Sequence, residues 1–466
     1  MTTAPKLFTE DHVTDSEFAF SKVDQFVANL ISNLSDEKKR EFFEIESCAA
    51  WIEKNGYKRV ALQLPDAYLC LSLFLTSELE SATSSKTFVL ADTSYRSCCV
   101  DLVAAEHASA DCLIHYGDAC LSVPSETIPV FYVFGNLPVN KESLVTAVSS
   151  LRESESRNVV LLVDTLFIRS ADKILGECQK YLPDHNILPC ALSSKPSDGQ
   201  KFGRVVPESV KNSEDYSLLF VGLEDSPLST LWLMTYPSCS TVLHYNPLTE
   251  TSSGLTSRTQ NRDLMKRMRM SEKVKDSKTI GLVVGTLGVH KYRESVQRMR
   301  DLCKAARKKI YVMSVGKINV PKLANFSTDI DAFVLLSCPY GVMLDTKEYH
   351  KPIVCYFEAE VGLNPAKAWE LGKDWTPDFS EALDAEIGEI QGDDADVSLI
   401  TGRIRTTERF DDSADSDGNR QVAIVTAGDN FKNRTWYGLD PSCDNETASL
   451  SIEEGRSGIA ANYGEL

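Results

Sequence analysis

The sequence predicts an α/β protein of three tandem, related α/β domains, each on a small parallel four-stranded sheet, followed by an acidic, largely disordered C-terminal tail. Three observations carry this. Apolar β-branched runs alternate with helical stretches, they recur three times in one fixed order, and from about residue 386 the chain turns acidic and Gly/Ser-rich. Near-continuous apolar strands separated by helices belong to parallel sheets covered on both faces. Fixed recurrence of such a unit marks internal repetition.

The first strand of each unit reads Arg59 to Asp66, Asn158 to Thr165, and Thr279 to Thr286. Helical stretches follow, as at Tyr68 to Ser81 and His290 to Ala306. Second strands are expected at Thr87 to Asp92, Asn186 to Ala191 and Lys309 to Ser314. Third strands are Cys112 to Tyr116, Ser217 to Val221 and Ala332 to Leu336. Fourth strands are Pro129 to Phe134, Thr241 to Tyr245 and Pro352 to Phe357. First to third strand is 53 residues (59 to 112), then 59 (158 to 217), then 53 (279 to 332).

This register divides the chain into an N-terminal extension (1–45), domains at 46–150, 151–255 and 256–385, and the tail (386–466). The extension is acidic and partly helical around Phe18 to Leu34. A polar, basic segment from Thr249 to Ser277 links the second and third units through a helix. The tail, with Asp411-Asp412-Ser413-Ala414-Asp415, is too polar to bury a core of its own. Two islands in it, Val397 to Gly402 and Arg434 to Leu439, are expected to dock back.

With 49 basic and 67 acidic residues, the formal charge is −18. Nucleic acids and anionic membranes reward a basic surface, so neither is expected as a partner. The amino terminus has no basic n-region and no apolar h-region, and no apolar run is long enough to span a bilayer. The expected compartment is the reducing cytosol, where a cysteine cluster is more often a metal or redox site than a staple.

Thirteen cysteines are present. Cys70, Cys178, Cys190, Cys239, Cys303 and Cys355 read as small buried hydrophobes, and Cys443 as exposed in the tail. Cys99, Cys120 and Cys338 differ because each follows a strand: the second and third strands of unit one and the third of unit three. Ligands gather at the carboxyl edges of parallel strands, so edges facing one centre would bring these three thiols together.

Cys98 and Cys99 also stand where a helix is expected to start, with Val100, Val103, Ala104 and His107 as its buried stripe. A helix amino terminus favours thiolate. Adjacent cysteines point apart, so at most one of the two is expected as a ligand. Three thiolates suit an iron–sulfur cluster with one open iron or a zinc with an open position. Three unrelated buried cysteines, or a strained Cys98–Cys99 disulfide, fit the same spacing. His107 and His115 read as core residues. The Gly281, Gly285 and Gly288 run lacks the Lys-Ser/Thr of a nucleotide loop, and a tight turn packing strand on helix explains it equally well.

Several of these motifs together resemble the diphthamide synthase family. They are Ser97-Cys98-Cys99-Val100-Asp101, His115-Tyr116-Gly117-Asp118-Ala119-Cys120-Leu121-Ser122, Gly285-Thr286-Leu287-Gly288, Pro321 to Phe326, and Leu336-Ser337-Cys338-Pro339, over roughly residues 55–365. The resemblance implies three α/β domains around a 4Fe–4S cluster and unconventional radical S-adenosylmethionine chemistry. A 3-amino-3-carboxypropyl group is there added to a histidine of elongation factor 2, the first step of diphthamide synthesis.

Catalytic family members take one cysteine from each domain. Here the middle unit reads Lys201-Phe202-Gly203-Arg204-Val205, with arginine where the thiol is expected. The pattern resembles the second subunit of the family's eukaryotic heterodimer. That implies cluster ligands Cys99, Cys120 and Cys338, no catalytic residue in this chain, and a role in reducing the catalytic cluster of the first subunit. A small zinc- or iron-binding reductant protein is implied as donor. Direct catalysis by this chain and a zinc-holding scaffold are the alternatives.

Overall fold

In the computed structural model, the described residues are 27–405, apart from 91–96, 125–127, 155, 194–199, 213–214, 256, 345, 371–374, 389–395 and 403. The chain divides into a unit of residues 1–408 and a second of 409–466. The second lies wholly outside the described residues, and with it the island Arg434 to Leu439 and Cys443.

Three sheets carry the first unit. The first holds β1 (Arg59–Gln63), β2 (Lys86–Val89), β3 (Cys112–Tyr116) and β4 (Val130–Val133), in the order β2-β1-β3-β4. The second is built from β5 (Asn158–Val163) and β6 (Asn186–Pro189). A small hairpin of β7 (Gln200–Lys201) and β8 (Arg204–Val205) follows, and then β9 (Tyr216–Val221), β10 (Cys239–Asn246) and β11 (Thr251–Leu255) complete the sheet. Its order is β11-β10-β9-β5-β6. The third, β12 (Thr279–Val284), β13 (Lys309–Ser314), β14 (Ala332–Leu336) and β15 (Ile353–Cys355), runs β13-β12-β14-β15.

All twelve expected strands are present, and within each sheet the expected four pair in parallel as second-first-third-fourth. Their buried β-branched and leucine side chains explain the choice of strand over helix, since both sheet faces are covered. One capping device recurs. Asp111, just before β3, accepts the amides of Lys58 and Arg59 at 2.7 and 2.9 Å. Asp331, just before β14, accepts those of Lys278 and Thr279, both at 2.9 Å.

The second sheet gains a fifth strand that the sequence reading assigned to a linker. β11 pairs antiparallel with β10. Residues 251–254 are exposed, so Thr251-Ser252-Ser253-Gly254 carries no apolar signal although its backbone completes an edge. The expected linking helix follows as Ser257–Asp276.

The island at Val397 does dock back. β16 (Asp396–Val397) pairs with β17 (Ile404–Arg405), and Arg405 bonds Asp276 at 2.7 Å and Glu272 at 2.8 Å on the linking helix. No helix among the described residues is long and apolar enough to cross a membrane.

Candidate metal centre

Cys98 and Cys99 lie in a turn, residues 97–100, ahead of the helix Leu102–His107. The sequence reading put the helix start at the cysteines. Asp101 is the better cap: its carboxylate accepts the Ala104 amide at 2.9 Å, satisfying a first-turn donor. The buried face is therefore Leu102 and Ala105, while Val103 and His107 turn outward. The helix after the turn therefore begins beyond Cys98 and Cys99 and does not start at them.

Two buried polar side chains hold the turn instead. Gln63, at the end of β1, donates from Nε2 to the Cys99 carbonyl at 2.7 Å and accepts the Asp101 amide at 2.9 Å. His115, on β3, donates from Nε2 to the Ser97 carbonyl at 2.9 Å, and its ring lies 5.5 Å from that of Tyr132. Burial holds the His115 ring neutral, at a pKa of about 4. His115 is structural, as its place in an apolar strand suggested. Gln63 was missed, although a lone amide in an apolar strand is a visible signal.

Cys120 follows β3 through Gly117 and Asp118. Its amide donates to the Cys98 carbonyl at 3.1 Å. Asp118 accepts the Thr165 hydroxyl at 2.6 Å, tying this loop to the carboxyl end of β5. Cys338 follows β14, and the Gly341 amide donates to its Sγ at 3.3 Å.

Contacts from the other sheets close the site. A Cβ on Gly203, whose φ is +67°, would lie 2.6 Å from the Cβ of Leu121, beside Cys120. One on Gly288 would lie 2.6 Å from the carbonyl oxygen of Val100, beside Cys99. The His290 amide donates to Val123 at 2.8 Å, and Val289 bridges to Pro124. The Gly288 turn therefore packs the third sheet onto the thiol loops of the first.

Four thiols meet here. The Sγ atoms of Cys98, Cys99, Cys120 and Cys338 all lie within 4.8 Å of one another. Cys99 and Cys120 are 3.7 Å apart, and Cys98 and Cys338 are 3.8 Å apart. The three expected residues are thus brought together. The expectation that Cys98 points away is overturned, because the adjacent residues sit in a turn and not on a helix.

All four are outside any disulfide and buried. Hydrogen bonds from Cys120 and Cys338, together with burial, push the Cys98 and Cys99 thiols well up. An all-sulfur, water-poor donor set suits zinc or an iron–sulfur centre and disfavours hard cations.

Of the six cysteines expected as small buried hydrophobes, five are buried and one is not. Cys178, Cys190, Cys239, Cys303 and Cys355 are buried, whereas Cys70 is exposed on the short 3-10 helix Asp66–Leu71. Arg204 is 1 % exposed. Its Nη2 donates to the Val163 carbonyl at 2.7 Å, while Nε and Nη1 have no hydrogen-bond partner among the described residues. Burial raises the neighbouring Asp164 carboxyl, and the Arg204 charge opposes that rise.

Fold and site together define a repeated α/β protein with an all-thiol candidate metal centre. A family model described as "Putative diphthamide synthesis protein" matches residues 64–375, and the chain belongs to that family. Among curated relatives is the 2-(3-amino-3-carboxypropyl)histidine synthase subunit 2 of Caenorhabditis elegans, 42% identical over 97% of this chain and 96% of that protein. The Xenopus laevis protein of the same name is 38% identical over 91% of this chain and 92% of its own length. A crystal structure of Dph2 from Pyrococcus horikoshii with a 4Fe-4S cluster shares the fold. It has a TM-score of 0.54 and 18% identity, covering 72% of this chain and 96% of that one. The chain therefore falls within a family of enzyme subunits.

Proposed function

We propose that this chain is the iron–sulfur subunit of a heterodimeric 2-(3-amino-3-carboxypropyl)histidine synthase, acting in the cytoplasm on elongation factor 2. It supports reduction of the catalytic centre in a partner subunit, fed by a small reductant protein. Cleavage of S-adenosylmethionine and transfer of the 3-amino-3-carboxypropyl group belong to that partner. The names of the relatives support the assembly. In this reading the three sheets form domains 46–150, 151–255 and 256–385.

One observation carries the relay role over catalysis: the thiol group draws only on loops of the first and third sheets, and the second sheet supplies buried Arg204. When bound, a 4Fe–4S centre would supply one-electron storage at a potential set by charge, hydrogen bonds to sulfur and exposure. Cys99, Cys120 and Cys338 hold it. The Gly341 amide hydrogen-bonds one of those sulfurs, and Gln63 and His115 fix the turn that carries another. No general base or nucleophile is required.

Anaerobic reconstitution tests the centre. The chain should take up iron and sulfide together and give a reduced-state EPR signal. In the heterodimer, replacing Cys120 and Cys338 by serine should abolish turnover with a protein donor while dithionite restores it. Turnover by this chain alone with S-adenosylmethionine and dithionite would sink the relay role.

A second reading has an observation in its favour. A tetrahedral zinc with Zn–S of ~2.3 Å sets its sulfurs about 3.8 Å apart, close to the 3.7 and 3.8 Å seen here. Stoichiometric zinc without sulfide would make the chain a scaffold.

A further inference from the structure

We infer that Cys98 is a fourth thiolate ligand, so that the centre held by this chain has no open metal position. The inference rests on the proposed iron–sulfur reading and extends its ligand set. A three-thiolate set leaves one metal site for an outside ligand. A fourth thiolate closes it and leaves electron transfer as the chemistry that needs no inner-sphere substrate.

The geometry pairs the thiols in a way that needs Cys98. Cys99 lies against Cys120 at 3.7 Å, and Cys98 against Cys338 at 3.8 Å. Cys338 is the one thiol of the group from the third sheet, and Cys98 lies against it at 3.8 Å, with all four sulfurs within 4.8 Å of one another. Both adjacent residues join one centre, and hydrogen bonds hold the backbone of each. The Cys98 carbonyl accepts the Cys120 amide at 3.1 Å, and the Cys99 carbonyl accepts Gln63 Nε2 at 2.7 Å. On ligation each thiol releases its proton to solvent as its sulfur binds metal.

Arg204 fits the same inference. The second sheet brings a cation to this region and none of its cysteines to the group, so among the described residues a fourth ligand comes from the first or third sheet. Among the described residues, no other cysteine, histidine or acidic side chain joins the group.

The test uses the full chain as wild type, Cys98→Ser and Cys98→Ala, reconstituted anaerobically with iron and sulfide. Wild type should resist conversion to a three-iron cluster under mild ferricyanide, and its reduced EPR spectrum should not shift when S-adenosylmethionine is added. Cys98→Ala should convert readily, and its spectrum should shift with a small exogenous thiol that fills the vacated position. Thermal melting of the unloaded variants separates misfolding from ligand loss, and Cys98→Ser, close in size to wild type, gives a second reading. A wild-type spectrum that shifts with S-adenosylmethionine would overturn the inference, as would a Cys98→Ala cluster as resistant as wild type. If wild type takes up zinc without sulfide, the relay reading fails separately. Cobalt substitution then counts ligands: the thiolate-to-cobalt charge-transfer band should fall by about a quarter in Cys98→Ser if four thiolates bind, and no fall would overturn the inference.

Discussion

Gly288 of the third sheet's first turn lies against the backbone of Val100, where an added Cβ would approach the carbonyl oxygen to 2.6 Å. Backbone cannot move aside as a flexible side chain can, so even alanine must push the Gly288 turn off the thiol loop. Gly288→Ala should cost about 1–3 kcal/mol and lower iron uptake on reconstitution by more than half. Gly176, exposed on the helix Ala171–Tyr181 with nothing near its missing Cβ, is the control. Gly176→Ala should raise the urea midpoint by about 0.5–1 kcal/mol equivalent and leave iron uptake unchanged. Equal iron uptake in both variants would mean that the Gly288 contact does not shape the centre.

Arg204 and Asp164 test what the second sheet contributes. Both are buried, at 1 % and 5 % exposure, and the Arg204 charge favours an ionised Asp164. Removing one of two compensating buried charges strands the other. Arg204→Met should therefore destabilise by about 3 kcal/mol. Adding Asp164→Asn should cost less than the sum of the single changes, with a coupling of about 1 kcal/mol or more by urea denaturation. Additive losses would show that the two charges do not support one another.

Much of this was legible in the sequence, and the reason is periodicity. The separations of 53, 59 and 53 residues reflect a repeated fold. The Asp111 and Asp331 caps show one physical device at matching places in the first and third copies. Cys99, Cys120 and Cys338 could be singled out because each follows a strand.

What escaped depends on side-chain direction or on backbone alone. Cys98 joins the group because the chain turns there, and the position of that turn depends on whether Asp101 or an earlier residue caps the helix. β11 escaped because an exposed edge strand needs no apolar residues. Gly203 and Gly288 make contacts between sheets, which local patterning does not record.

The neutral His115 ring predicts a pH dependence. Its folded pKa is about 4, against an ordinary value of 6.5. Between those values the unfolded chain binds a proton that the folded chain does not, so stability rises with pH across this window. The contribution is fully present above pH 6.5 and is lost as pH falls toward 4, by up to about 3 kcal/mol. Comparing wild type with His115→Gln removes the background from carboxylates. Urea midpoints at pH 7.5, 5.5 and 4.5 should show the wild-type advantage shrinking stepwise, and a constant difference would place the ring's proton elsewhere.

Arg405 provides the last test, on the segment beyond the third sheet. Its side chain is 15% exposed and its guanidinium reaches both Glu272 and Asp276, while Ser398 donates to the other Asp276 oxygen at 2.7 Å. One cation shared by two carboxylates on adjacent turns of a helix, one of them also paired with Lys275 at 2.7 Å, forms a partly buried network worth more than an isolated exposed pair. Arg405→Ala should cost about 1–2 kcal/mol, and the loss should shrink in high salt because the cluster remains partly solvated. Ending the chain at residue 395 should reproduce that loss without adding much to it. A truncation far more damaging than Arg405→Ala would mean that β16 and β17 contribute through packing, and that the ion cluster is secondary.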